Sequence, residues 1–154
     1  MLVLDTSAYI NGQRDHYPVA TFPSVWELIT KAMRDGRIIP PREVYRELTA
    51  KDDDIAVWAK ERAGLFLDPS AEVQRAAGAV YQMFSSGSGR RDGADPFVIA
   101  EAQLRGFTVV TYEGRSFTGV PTRNWERTMP GICQHVGIPC RTLPEALTML
   151  GASF

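Results

Sequence analysis

An α/β domain with a parallel sheet is the fold class this sequence predicts, and three observations carry the prediction. Short apolar runs alternate with segments of helical periodicity along the chain. Glycine or proline punctuates nearly every transition, as at Gly36, Pro40-Pro41 and Gly106. The first apolar run, Met1-Leu2-Val3-Leu4, ends in Asp5, and parallel sheets build their sites at the carboxyl ends of their strands.

Leu2–Asp5 reads as the first strand, and Thr6 or Ser7 caps a helix running to about Gln13. Phe22-Pro23-Ser24 opens a second helix over Val25 to Arg34, with Trp26, Ile29 and Met33 at helical spacing and Gly36 as its stop. Arg37-Ile38-Ile39 reads as a second strand, halted by Pro40-Pro41. Pro41 or Arg42 then starts a helix whose Val44, Tyr45 and Leu48 share a face. Asp52-Asp53-Asp54 suits the positive end of a helix over Ile55 to Ala63.

Leu65-Phe66-Leu67 reads as a third strand, followed by a helix from Ala71 to Phe84. Ser85 to Gly93 has the composition of a mobile loop. Asp95-Pro96 starts a helix to Arg105, with proline where a first turn tolerates it. After Gly106, Phe107–Thr111 reads as the fourth strand. Glu113 to Trp125 is irregular, Ile132–Val136 is a helical turn, Ile138–Arg141 a fifth strand and Pro144 to Leu150 a closing helix. The 154 residues contain no internal repeat and no linker, so residues 1–154 form one domain in this reading.

Composition narrows the function classes. Hydrophobic residues make up 44% and charged residues 23%, values ordinary for a soluble globular protein. A formal net charge of −1 supplies no global basic field, so any nucleic-acid contact must rest on a local basic rim or a metal ion. No run approaches the roughly 20 apolar residues of a membrane span, and the start of the chain lacks a signal-peptide pattern. The expected location is the cytoplasm. Cys133 and Cys140 have no Cys-x-x-Cys spacing, which argues against zinc; two reduced thiols are expected, with a disulfide as the alternative.

The chemistry resides in carboxylates. Besides Asp5, the sheet order would bring together Glu47 on the helix after the second strand, Asp95 at the head of the helix before the fourth strand, and Glu113 just beyond that strand. Asp92 is a fifth candidate. Converging carboxylates repel and need a cation, and an all-oxygen set favours Mg²⁺ or Mn²⁺. Such ions suit phosphodiester hydrolysis. Each acid also has an ordinary reading: Asp95 as a helix cap, Glu47 as a solvated helix residue, Glu113 as a loop acid.

With these residues in view the chain resembles the PIN-domain family of metal-dependent ribonucleases. The matching pieces are Val3-Leu4-Asp5-Thr6-Ser7, the pair Glu47-Leu48, the Asp95-x-x-Ile-Ala helix, and Gly106-Phe107-Thr108-Val109-Val110-Thr111 before an acid. The resemblance implies a five-stranded parallel sheet in the order 3-2-1-4-5 with helices on both faces. It implies metal binding by Asp5, Glu47 and Asp95, with Asp92 in reserve and Glu113 completing the site. Thr6, Ser7 and Thr111 would support the carboxylates. Many small family members are VapC-like toxins of toxin–antitoxin pairs, which cut RNA, are held by an antitoxin protein and form homodimers.

Three positions depart from the family pattern. Ser7 replaces an asparagine, the longer Glu113 replaces an aspartate, and Arg115 stands where a further acid is usual. The long segment from Arg14 to Pro41 is more like a less characterised branch of the family. The alternative to an endoribonuclease is a catalytically weak or inactive RNA-binding or partner-binding module.

Arg90 and Arg91 could grip a phosphate backbone, or serve only as solubilising charge. Arg115, Arg123 and Arg127, interleaved with Phe117 and Trp125, could form a stacking rim, or the aromatics could cover the sheet edge. His16 and His135 read as surface or packed residues. Trp26, Trp58, Met33 and Met83 read as core or dimer surface. Aspartyl-phosphate chemistry is disfavoured: a haloacid-dehalogenase-like phosphatase needs a second aspartate where Ser7 stands, and no lysine follows Lys60.

Overall fold

The computed structural model describes residues 1–84, 93–114 and 125–152. Strand β1 (Leu2–Leu4) is buried along its whole length and runs directly into helix α1 (Thr6–Asn11). Asp5 itself is the N-cap of α1, in place of Thr6 or Ser7, because its side chain accepts from the Ala8 N–H at 2.8 Å. A single π-type turn, Gly12–His16, follows α1.

Helices α2 (Pro23–Arg34), α3 (Arg42–Leu48), α4 (Asp54–Lys60) and α5 (Ala71–Phe84) come next, then α6 (Asp95–Arg105) and β2 (Thr108–Val110). Helix α7 (Met129–Val136), β3 (Cys140–Arg141) and α8 (Leu143–Met149) complete the chain. Gly106 ends α6 in the left-handed region at φ 69°, where a side chain would be strained. The helical turn expected over Ile132–Val136 starts earlier, at Met129, under a Thr128 cap.

The sheet corrects the expectation of five strands. Among the described residues it has three, all parallel, in the order β1-β2-β3, with Leu2 opposite Thr108 and Val109 opposite Cys140. The segments expected as the second and third strands form only isolated parallel bridges, Leu2 with Ile38 and Pro41 with Leu67. Chemistry explains the shortfall. Pro40 and Pro41 have no N–H to donate, so after the Ile39 N–H reaches the Leu2 carbonyl no ladder can extend through them. Leu65, expected in a strand, closes a 3₁₀ turn over Ala63–Leu65 instead. The order 3-2-1-4-5 is therefore replaced by a three-stranded sheet with bridged flanks.

The core gathers Val3, Leu4, Val109 and Val110 from the sheet with Ile29, Ile99 and Ile132 from the helices. Trp26 and Trp58 meet edge to face at 5.0 Å, and Tyr9 lies 5.8 Å from Trp58. Trp26, Trp58 and Met33 are buried, while Met83 is exposed. Among the described residues no helix is long and apolar enough to cross a membrane.

Candidate active site at the carboxyl end of the sheet

β1 and β2 end side by side, and the residues that leave them are laced together. The Asp5 N–H donates to the Val110 carbonyl at 3.0 Å, which continues the ladder one residue past β1. The Asp5 carboxylate is buried and accepts three hydrogen bonds: Ser7 Oγ at 2.8 Å and Ala8 N at 2.8 Å on Oδ1, and Thr111 Oγ1 at 2.6 Å on Oδ2. Both hydroxyls are oriented in turn. Ser7 Oγ accepts from the Tyr112 N–H and Thr111 Oγ1 from the Glu113 N–H, each at 3.0 Å. Ser7 and Thr111, named from the sequence as supports, are thus both bonded to Asp5.

None of the three groups bonded to Asp5 carries a positive charge. Burial therefore outweighs them and pushes the Asp5 carboxyl up to about 7, with a further upward push from the Asp95 charge. The buried Tyr9 phenol is also raised, first by burial and then by Asp5.

Glu47 approaches from α3. The start of that helix is anchored by Arg42, whose guanidinium donates to the Ala63 and Phe66 carbonyls at 3.0 and 2.7 Å and pairs with Asp68 at 3.2 Å. One turn and a half later, Glu47 is gripped at both carboxylate oxygens. Oε2 accepts from the Thr6 hydroxyl, and Oε1 accepts from the Ala94 N–H at 2.8 Å. The partners are the residue after Asp5 and the residue before Asp95.

Gly93 makes the second contact feasible: a Cβ there would fall 2.1 Å from Glu47 Oε1, and its φ of 75° is left-handed. Sequence reading placed Gly93 in a loop and missed this role. A glycine two residues before a helix-opening aspartate was the available signal.

Asp95 opens α6 as expected. Glu113 follows the end of β2. Its Oε2 accepts from the Met129 N–H at 2.9 Å, so it ties the end of β2 to the first turn of α7. Asp92, Arg90, Arg91 and Arg115, with Phe117 and Arg123, lie outside the described residues. Trp125 donates to Gln134 Oε1 at 3.3 Å, and exposed His16 stacks on Tyr112 at 5.0 Å with ring planes 7° apart. Neither cysteine is in a disulfide: Cys133 is buried and Cys140 half-buried.

Among the described residues no three His, Cys, Asp or Glu side chains stand close enough to hold a metal ion. The donor chemistry of the centre still fits a hard cation, since every candidate ligand is an oxygen and the buried Asp5 carboxylate is bonded only to neutral groups.

Fold and site together define an α/β protein with an acidic, hydroxyl-braced centre at the carboxyl end of a parallel sheet. The chain belongs to the DUF4411 family, a domain of unknown function whose profile matches residues 2–154. No curated protein matches the sequence.

Proposed function

We propose that this protein is a divalent-metal-dependent endoribonuclease similar to PIN-domain enzymes, with Asp5, Glu47 and Asp95 as its acidic centre. The double grip on Glu47 carries the reading. One helix carboxylate is bonded to the immediate neighbours of two aspartates that are far from it and from each other in sequence. A surface acid with no task does not need a glycine cut away beside it.

Asp5 and Asp95 would hold the ion, Mg²⁺ or Mn²⁺, with Glu47 alongside. When bound, it would polarise a phosphoryl oxygen and acidify a water for attack on phosphorus. The chain's own residues supply preorganisation. Ser7, Thr111 and the Ala8 N–H fix both oxygens of Asp5, so that carboxylate needs no reorientation when substrate arrives. Thr6 and the Ala94 N–H do the same for Glu47. Glu113 is a positioning residue, since it acts through α7. Arg90, Arg91 and Arg115 would contact phosphates and not read sequence.

The test is cleavage of a labelled structured RNA by purified protein in Mn²⁺, Mg²⁺ or EDTA, beside Asp5→Asn and Glu47→Gln. Metal-dependent cleavage lost in both variants supports the assignment; equal activity in parent and variants rejects it. One observation favours the non-catalytic alternative: both Glu47 oxygens already have partners, and the described residues hold no ready three-acid cluster. Under that reading parent and Asp5→Asn bind RNA alike and neither cuts it.

A toxin role, with an antitoxin protein as partner and a homodimer as the working form, is the biological extension. It requires that expression alone arrests growth and that a neighbouring gene product relieves the arrest. Unimpeded growth removes the toxin role and leaves the nuclease one.

A further inference from the structure

A chain of ring contacts starts beside the acidic centre and ends at the start of α2. Tyr112 follows Thr111, which bonds to Asp5, and its own N–H donates to Ser7 Oγ. His16 stacks on the Tyr112 ring at 5.0 Å with planes 7° apart. Tyr17 follows at 6.2 Å from His16 with a 44° tilt, and Phe22 meets Tyr17 edge-on at 5.8 Å. Tyr17 and Tyr112 are half-buried against the core, whereas His16 is exposed and Phe22 is 41% exposed.

The backbone holds these rings in place. His16 is the last residue of the π-type turn, which the Tyr17 N–H closes on the Gly12 carbonyl at 2.7 Å. Such turns are rare overall and recur at functional sites. The Tyr17 carbonyl accepts from the buried Trp26 indole at 2.7 Å, and the Thr21 and Phe22 N–H groups both donate to the Pro18 carbonyl. Exposed rings on so fixed a backbone lose little freedom on meeting a ligand. Beside the stack, Arg14 donates to both oxygens of Asp15 at 2.8 and 2.7 Å, so that pair neutralises itself.

We propose that His16 and Phe22 are stacking platforms for the bases of a single-stranded RNA that leaves the acidic centre toward the start of α2. An unpaired base can lay a flat face on an exposed ring, whereas the bases of a duplex are already stacked on one another. His16, backed by Tyr112, presents a plane parallel to a ring that adjoins Thr111. The tract selects strandedness and not base identity. The proposal deepens the ribonuclease reading and rests on it for the choice of RNA as ligand.

The experiment measures, by fluorescence anisotropy in EDTA, the binding of a short labelled single-stranded RNA to the full chain and to His16→Ala, His16→Phe and Phe22→Ala. Two further ligands are the same strand annealed to its complement, and a strand of equal length built of abasic nucleotides. Each alanine variant should bind the single strand about tenfold more weakly than the parent, and His16→Phe should restore most of that loss. The loss should be the same at low and high salt, because it contains no phosphate contact. Duplex and abasic strand should each bind parent and His16→Ala alike.

Equal binding of the single strand by the parent and both alanine variants overturns the tract, as does a parent that does not bind it. So does a loss in His16→Ala that persists with the abasic strand, since that loss does not involve the bases. Cleavage of the same single strand in Mn²⁺ and in Mg²⁺ is followed separately. Cleavage by a parent whose binding ignores both rings sinks the tract and spares the nuclease. Ring-dependent binding without cleavage in either metal sinks the nuclease and spares the tract.

Discussion

Replacing Asp5 by asparagine should stabilise the metal-free protein at neutral pH, although the residue makes three buried hydrogen bonds. In an unfolded chain an aspartate titrates near 3.8; here burial pushes it up to about 7. Between those values the folded state keeps a proton that the unfolded state has released. Asp5 thus penalises folding progressively as pH rises from about 4 to about 7, and the penalty is constant above that.

Roughly three pH units at about 1.4 kcal/mol each give about 4 kcal/mol as the most that charge removal can return. Asparagine keeps the geometry. Its carbonyl can accept from Ser7 and Ala8, and its amide can donate to Thr111 Oγ1, whose hydroxyl turns toward Ser7 Oγ 3.1 Å away. The assay is urea denaturation of parent and Asp5→Asn in EDTA at half-unit steps from pH 4 to 8. The two stabilities should diverge across that window, with the variant ahead by up to about 4 kcal/mol at pH 8. Parallel curves, or a variant weaker at pH 8 than at pH 4 relative to the parent, would refute the argument.

Gly93→Ala should cost about 2 kcal/mol in denaturation, since it combines a left-handed φ with a methyl placed on the Glu47 carboxylate, and should abolish RNA cleavage. Glu113→Ala should lower the melting temperature by a few degrees, about 1 kcal/mol, through loss of the Met129 contact. Glu113→Gln, which keeps the acceptor, should restore most of that loss; a variant pair with equal melting points would remove the positioning role. The Cys140 hydrogen bond and burial both push the Cys133 thiol up, so a disulfide reagent at pH 8 should titrate at most Cys140 before denaturation and both thiols after it. Millimolar Mn²⁺ should raise the melting temperature of the parent by mass action and that of Asp5→Asn by less; equal shifts would place the ion elsewhere.

Much of the helix succession was legible because its signals are local. Apolar spacing in Val25–Arg34, the Gly106 stop and the Asp95-Pro96 start each depend on a handful of neighbours, and α2 and α6 begin and end within two residues of those expectations. Pairing was less legible. Arg37-Ile38-Ile39 and Leu65-Phe66-Leu67 have strand-like composition, but whether a strand extends depends on donors offered by another segment. The two prolines withdrew them. The cap of α1 was misplaced by one or two residues for a related reason: Asp5 was read for chemistry alone, while its carboxylate also satisfies the helix.

From the residues alone came the alternation of apolar runs with helices, the carboxylate ending the first strand and the identity of the acids worth watching. These follow from short-range propensity and hydrophobic period. The tertiary structure decided which residues the acids meet. Glu47 meets Thr6 across 41 residues and Ala94 across 47, and Asp5 meets Thr111 across 106. Such contacts exist only after the helices have docked on the sheet, because a hydrogen bond reaches about 3 Å and only packing carries those distant residues that close.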